Sequence, residues 1–442
     1  METEKAYMLE EVKPLTSVTA AEEAARCLLC HDAPCSKGCP AGTDPGKFIR
    51  SIRFQNIKGA AETIRENNPL GGVCARVCPY DKLCELECSR TGIDRPIEIG
   101  RLQRYATDFE KTCGMRILEK KADKKAKIAI IGAGPAGLAC AAKLAVEGYQ
   151  VTIFEANAKP GGWMTYGIPP ARLPQEVVDA DIDYITGLGV DLITNCAIGI
   201  DKTFEDLKKD GYLAFFIGVG LSKPKDLNLP NRDLKNIFTA AEFLSNAKEK
   251  NGDVFVGKKV VVVGGGDVAM DCATTAKLLG ADKVSCIFVE SLERIPASKD
   301  ELNYAQNLKV ALIPSFKPTE FIGTNGVISG IRAQGLDVDD MTDFANVPSI
   351  KVDEDSVIAL GADMIILAVG QKAFDIKSAF PAIELNAQGL VVVNEDSLAT
   401  SVENIFAAGD VVNGGKTVVE AVARGKQAAD SITSFLSKRG EA

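Results

Sequence analysis

One pattern occurs twice in this chain, and it restricts the fold more than anything else in the sequence. The first copy is Lys127-Ile-Ala-Ile-Ile-Gly132-Ala133-Gly134-Pro135-Ala136-Gly137, followed by Val151-Thr-Ile-Phe-Glu155. The second is Lys259-Val-Val-Val-Val-Gly264-Gly265-Gly266-Asp267-Val-Ala269, followed by Val284-Ser-Cys-Ile-Phe-Val289-Glu290. Each reads as a fully buried strand, a tight glycine turn, a helix of small residues and a second strand that ends in an acid. The glycines let the backbone approach a pyrophosphate, the helix N-terminus faces it, and the acid accepts from ribose hydroxyls. From the first glycine to the acid is 23 positions in one copy and 26 in the other, which predicts two units built alike. The expected fold class is therefore α/β, with two Rossmann-like dinucleotide-binding domains.

The remaining segments divide these units. Asp363-Met-Ile-Ile-Leu-Ala-Val-Gly370 reads as a strand ending at a glycine turn. Asn404-Ile-Phe-Ala-Ala-Gly409-Asp410 reads as another, and Lys416-Thr417-Val-Val-Glu420 opens a helix. This arrangement resembles two-dinucleotide flavoprotein reductases, in which such a Gly-Asp returns to the first domain and touches the flavin's ribityl chain. The resemblance places FAD on Gly132–Glu155, with Gly162, Trp163 and Thr417 contributing, and a nicotinamide on Gly264–Glu290, with Arg294 and Gly370 nearby. The expected domains are residues 121–221 with 371–442 for FAD and an inserted 222–370 for the nicotinamide. Val289-Glu290-Ser-Leu-Glu293 is acidic where a 2′-phosphate would need Arg or Lys, so NAD is expected rather than NADP.

Ahead of these units, eight of the thirteen cysteines lie between Cys27 and Cys88. They form Cys27-x2-Cys30-x4-Cys35-x3-Cys39-Pro40 and Cys74-x3-Cys78-Pro79-x5-Cys84-x3-Cys88. Such density in a reducing compartment points to metal rather than disulfides. A zinc-stabilised helical module is the plainer reading, but four-thiolate zinc sites pair two C-x2-C knuckles and only Cys27/Cys30 has that spacing. The C-x2-C…C-x3-C-P run is close to the two-cluster ferredoxin pattern, where the cysteine before proline serves the other cluster. Cys27, Cys30 and Cys35 would then hold one [4Fe-4S] cluster and borrow a ligand from the second group. Cys39 would join the second group on another cluster, and one thiol could be spare. The surroundings read as short helices: one from Thr43-Asp44-Pro45 with Phe48, Ile49 and Ile52 on one face, and one over residues 96–109. Residues 1–120 form the expected helical iron–sulfur domain, ending in a lysine-rich linker.

Composition excludes other classes. The net charge of −9 gives no pull toward nucleic acid, and no apolar run reaches the ~20 residues that span a bilayer. Met1-Glu-Thr-Glu-Lys5 does not read as a signal peptide, so a cytoplasmic protein is expected. A single histidine, His31, leaves little scope for multi-His zinc sites or a Ser-His nucleophile. Beside the flavin there is no C-x2-C pair, and Cys113, Cys140, Cys196, Cys272 and Cys286 are solitary, expected as ordinary and mostly buried thiols. Electrons should leave through the iron–sulfur domain.

Cys27-Leu-Leu-Cys-His-Asp-Ala-Pro-Cys35, Thr43-Asp-Pro-Gly-Lys-Phe-Ile-Arg-Ser51, Gly59-Ala-Ala-Glu-Thr-Ile-Arg-Glu-Asn67, Val73-Cys-Ala-Arg-Val-Cys-Pro79 and Ile99-Gly-Arg-Leu-Gln103 carry a resemblance. They are similar to electron-input subunits of bacterial NAD-dependent dihydropyrimidine dehydrogenase, over essentially the whole chain. The glutamate synthase small subunit and the N-terminal half of the animal enzyme are more distant. The resemblance implies one cluster on Cys27, Cys30, Cys35 and Cys88. The other would sit on Cys39, Cys78, Cys84 and the side chain of Gln103, leaving Cys74 spare. It also implies a flavin contact from Arg172, and a basic pair in NADPH-using relatives where this chain has Val289-Glu290. The implied reaction interconverts uracil or thymine and the 5,6-dihydropyrimidine. That chemistry would belong to a separate FMN/Fe-S subunit with an FMN-binding (β/α)8 barrel of ~250 residues, for which this sequence has no room. The implied route runs from NADH to FAD and through two clusters to that partner, in a heterotetramer. A glutamate synthase small subunit or related flavin transhydrogenase is the alternative.

Overall fold

The computed structural model describes residues 6–337 and 351–441; the Met1–Lys5 start lies outside them. The described residues divide into two compact units. The larger comprises 12–165, 172–223 and 371–441, and the smaller 6–11, 166–171 and 224–370.

The larger unit begins with short helices whose starts follow local capping. Pro45–Arg53 opens on Asp44, whose carboxylate accepts the Lys47 N–H at 3.0 Å, and Pro45 loses nothing at a position that has no intrahelical donor to give. Its Phe48, Ile49 and Ile52 meet Ala24, Ile64, Ile97, Ile99, Leu102 and Ala106 in one core. The helix expected over 96–109 runs instead over Ile99–Thr112. Tertiary partners claim its first turn: the Ile97 N–H points at Cys88 Sγ (3.5 Å), and the Glu98 N–H donates to Glu23 Oε1 (2.9 Å). Within this unit Arg65 is fully buried between two carboxylates. It makes a bidentate pair with Glu110 (2.8 and 2.9 Å), donates to Asp181 at 3.0 Å and lies over the Tyr184 ring at 4.3 Å. Breaking such a buried pair from one side costs about 3–5 kcal/mol.

The same unit holds a five-stranded parallel sheet in the order Ile405–Ala407, Tyr212–Ile217, Lys127–Ile131, Gln150–Phe154, Asp191–Ile193. Both faces are covered, so the central strands are apolar throughout rather than alternating. The helix Pro135–Val146 packs on Val418–Lys438 through small residues; a Cβ on Gly425 would sit 2.2 Å from the Ala136 carbonyl oxygen.

The smaller unit repeats the arrangement. Its parallel sheet runs Ile237–Thr239, Met364–Leu367, Lys259–Val263, Lys283–Ile287, Ala311–Ile313. An antiparallel meander of Phe316–Thr324, Val327–Leu336 and Val352–Gly361 is appended to it. Among the described residues no helix is long and apolar enough to cross a membrane.

Candidate functional site

The cysteine-rich segments fold around two cavities in the helical part of the larger unit. The first is lined by Cys27, Cys30, Cys35 and Cys88, with Ile49, Ile97 and Ile99 as its apolar floor. The loop between Cys27 and Cys30 bends through Leu29 at φ +53°, and Arg53 holds it by donating to the Cys27 carbonyl at 2.9 Å. The second cavity is lined by Cys39, Cys74, Cys78, Cys84 and Gln103, together with Tyr80 and Val419. Gln103 is buried and its Nε2 donates to the Gly71 carbonyl at 2.9 Å, which leaves the Oε1 lone pairs for the cavity. Cys74 sits one helical turn before Cys78, and Tyr80 Oη donates to its carbonyl at 2.7 Å.

Burial and mutual crowding raise several of these thiols. Burial pushes Cys35 up to about 11, with Cys88, Cys27 and Cys30 adding to the rise. Cys78 is held well above the usual thiol range by its hydrogen bond with Cys74 and then by burial, and Cys84 by burial. A bound cation would lower thiols raised in this way by supplying the opposing charge. Among the described residues no three Cys, His, Asp or Glu side chains converge on one point as ligands of a single ion would. Four thiols around one cavity, and four with an amide oxygen around the other, suit a polynuclear iron–sulfur group better than zinc. His31 is exposed on a turn outside both.

The first glycine turn lies in the larger unit. Gly132 has φ +101°, and a Cβ there would stand 2.6 Å from the Gly218 carbonyl oxygen. The Gly162 Cβ position lies 3.2 Å from Gly134 Cα, and the Gly161 N–H donates to Ala133 O at 2.8 Å, so this second glycine pair passes directly over the turn. Pro135 and Ala136 open the helix, and Trp163 starts a short helical turn nearby. Glu155 is the first residue past its strand and is buried. One carboxylate oxygen accepts the Ala133 N–H (2.8 Å), and the other accepts Asn157 N and Nδ2 (2.9 and 2.8 Å). Gly409 packs with its would-be Cβ 3.0 Å from Ala136 and caps a short helix in which Asp410 is the first residue. Burial raises the Asp410 carboxyl, which accepts the Lys416 N–H at 3.1 Å. The Thr417 hydroxyl caps the helix Val418–Lys438 and is shared with Glu420. Arg172 is half-buried ahead of the helix Gln175–Thr186.

The second turn lies in the smaller unit and matches the first strand for strand, but not at the acid. Ile131 pairs with Phe154 and Val263 with Ile287, so the residue that follows the paired strand end, beside each copy's own glycine turn, is Glu155 in the larger unit and Phe288 in the smaller. Glu155 N and Phe288 N donate to the last residue of the next strand alike, Ile193 and Ile313. Phe288 is buried against Gly265, and Glu290 follows two residues later, half-exposed, with Arg294 exposed beyond it. Gly264 has φ +140°, and Gly266 precedes Asp267, whose carboxylate accepts the Ser298 N–H at 2.7 Å. Gly370 has φ +94° and is exposed. Counting from glycine to acid did not reveal this displacement, because strand pairing rather than sequence distance sets the register.

Of the solitary thiols, Cys140, Cys272 and Cys286 are buried, whereas Cys196 is half-exposed and Cys113 exposed. The sequence carried no signal for Gly218, Val419 or Phe288, which reach their sites only through long-range packing.

Comparison with known proteins agrees with this architecture. Residues 4–115 match the family model for dihydropyrimidine dehydrogenase domain II, 4Fe-4S cluster, and residues 126–425 match that for pyridine nucleotide-disulphide oxidoreductases. The NAD-dependent dihydropyrimidine dehydrogenase subunit PreT of Escherichia coli K12 is 46% identical over 97% of each chain. The glutamate synthase [NADPH] small chain of the same organism is 34% identical over 98% of this chain and 94% of its own. Among solved structures, FprA from Mycobacterium tuberculosis in complex with NADPH superposes with a TM-score of 0.58 at 18% identity, covering 72% of this chain and 86% of its own. Lactococcus lactis thioredoxin reductase gives 0.55 at 20% identity over 71% of this chain and 100% of its own. These two likenesses establish the shared fold. The chain belongs to the family of flavin- and pyridine-nucleotide-dependent iron–sulfur oxidoreductases represented by the PreT subunits of NAD-dependent dihydropyrimidine dehydrogenase.

Proposed function

We propose that this chain is the electron-input subunit of a dihydropyrimidine dehydrogenase, taking electrons from NADH and delivering them to a separate FMN-containing subunit that interconverts uracil or thymine and the 5,6-dihydropyrimidine. Bound FAD would accept a hydride from the nicotinamide and release its two electrons singly to iron–sulfur clusters. The chain's own residues bind and orient. Gly132, Gly134 and the N-terminus of Pro135–Val146 take the FAD pyrophosphate, Glu155 takes ribose hydroxyls, and Arg172, Gly409 and Asp410 border the flavin. The Gly264–Gly266 turn and the backbone N–H groups that open the helix at Asp267 take the nicotinamide cofactor's pyrophosphate, while the Asp267 carboxylate stays on the Ser298 N–H. Glu290 repels a 2′-phosphate, which favours NADH over NADPH. Cys27, Cys30, Cys35 and Cys88 would hold one [4Fe-4S] cluster, and Cys39, Cys78, Cys84 and Gln103 the other. No side chain needs to act as a general base, which suits a chain with one histidine. The protein is expected in the cytoplasm, in a heterotetramer with its partner.

The observation that carries this reading is the wall of the second cavity. Val419, two residues after Thr417 and on the helix that follows Asp410, lines it beside Cys39 and Gln103. The helix that starts beside the residues assigned to the flavin thus also borders the second cysteine cavity, which supports an electron path between the two. The test is Cys35→Ser in the complex reconstituted with the FMN subunit. NADH-driven reduction of a flavin-accepting dye should survive, and NADH-dependent uracil reduction should fall to background. Retention of full uracil reduction, or co-purification with a glutaminase-type partner instead, overturns the reading.

A further inference from the structure

The helix Val418–Lys438 carries a second feature that the route above does not use. Lys426, two turns beyond Val419, turns its ammonium inward and donates to the carbonyl oxygens of Ala41 (2.8 Å) and Asn67. Ala41 is two residues from Cys39, a span of at most about 7 Å between their Cα atoms. Asn67 ends the helix Ile57–Asn67, and its neighbour Asn68 lines the second cavity. Among the described residues Lys426 has no carboxylate partner. One turn further along the same helix, Asp430 pairs instead with Lys143 of the helix Pro135–Val146 at 2.6 Å. Burial already presses the Lys426 ammonium below its usual range, and only Cys39 and Asp430 act in the opposite sense. An amine held inside by two neutral carbonyls is an expensive arrangement for stability alone, since an apolar residue of that length would pack against the same segments without desolvating a charge.

We propose that Lys426 is a positioning residue of the second cysteine-lined cavity: it fastens the Cys39 segment to the C-terminal helix and sets a positive charge beside the cluster held there, raising that cluster's reduction potential. The physical basis is direct. One-electron reduction adds a negative charge to a group already surrounded by thiolates, and a fixed cation in a low-dielectric wall favours the more negative state. The second cluster would then accept electrons from reduced flavin more readily than its thiolate count allows. The inference rests on the proposed function in that it requires an iron–sulfur cluster in this cavity.

The test is an anaerobic redox titration of the purified holoprotein, followed by electron paramagnetic resonance, for Lys426→Met and Lys426→Arg beside the parent. The signal that changes in Gln103→Cys identifies the second cluster. In Lys426→Met its midpoint should move to lower potential while the other cluster stays in place, and Lys426→Arg should hold it near the parent value. An unmoved midpoint in Lys426→Met, an equal shift in Lys426→Arg, or a shift of both clusters together overturns the proposal. Should Lys426→Met lose the cluster on purification, Lys426→Gln keeps a donor for the carbonyls without the charge and is judged by the same outcomes. Parent protein without iron–sulfur signals would overturn the proposed function itself; signals present with fixed potentials overturn only the role of Lys426.

Discussion

The two glycine turns are built on the same strand register and differ in how tightly they close. At the first turn the third glycine is Gly137, and a Cβ there would come within 2.0 Å of the Gly132 carbonyl oxygen. At the second, Ala269 occupies that place with its methyl fully buried. The first turn keeps its acid at the strand end, with the Glu155 carboxylate bonded to the turn's own Ala133 N–H. The second puts Phe288 there and moves Glu290 outward. The helix behind the first turn starts with Pro135, and the one behind the second with Asp267, a negative charge at an end that otherwise attracts phosphate. A closed turn with a preorganised acid suits a cofactor that stays bound, and an open one with a repelling carboxylate suits a cofactor that exchanges at each turnover.

The comparison breaks most visibly at the third glycine. Gly137→Ala should strip FAD and leave a colourless flavin site, because the added methyl has only backbone to displace, while Ala269→Gly should leave NADH oxidation nearly unchanged and cost about 0.5–1 kcal/mol of stability. Flavin absorbance and thermal melting of the two purified variants measure this; equal retention of FAD would show the turns to be equally tight. Next in size is the acid. Glu155→Gln removes a charge-assisted bond worth about 1.5–3 kcal/mol, so FAD affinity should fall tenfold or more in a titration of the apoprotein, whereas Glu290→Gln should change the KM for NADH only severalfold. The smallest expected effect sharpens the cofactor assignment. Replacing Val289 and Glu290 together by Arg should bring kcat/KM with NADPH up about tenfold relative to NADH, and no gain would move the 2′ position elsewhere.

Much of this was legible in the sequence because it is local. The turns announce themselves through glycines at fixed offsets, and the helix Pro45–Arg53 through an Asp-Pro start and three apolar residues on one face. The helix expected from residue 96 starts at Ile99 because Glu23, 75 residues away, takes the Glu98 N–H. Counting from the glycine makes Glu290 the counterpart of Glu155, yet the strand register puts Phe288 in that place. Cys196, expected as a buried thiol, is half-exposed at the edge of its core.

What the sequence determined by itself is the kind of chemistry: a duplicated dinucleotide pattern and thiols at cluster spacing, each set by covalent distance along the chain. The tertiary structure decided which groups share a wall. Cys88 joins Cys27, Cys30 and Cys35, and Cys74 faces the same space as Gln103. Lys426 reaches Ala41 across 385 positions. Burial and cavity lining are properties of packed surfaces, and packing brings together residues whose separation in sequence carries no trace of the contact.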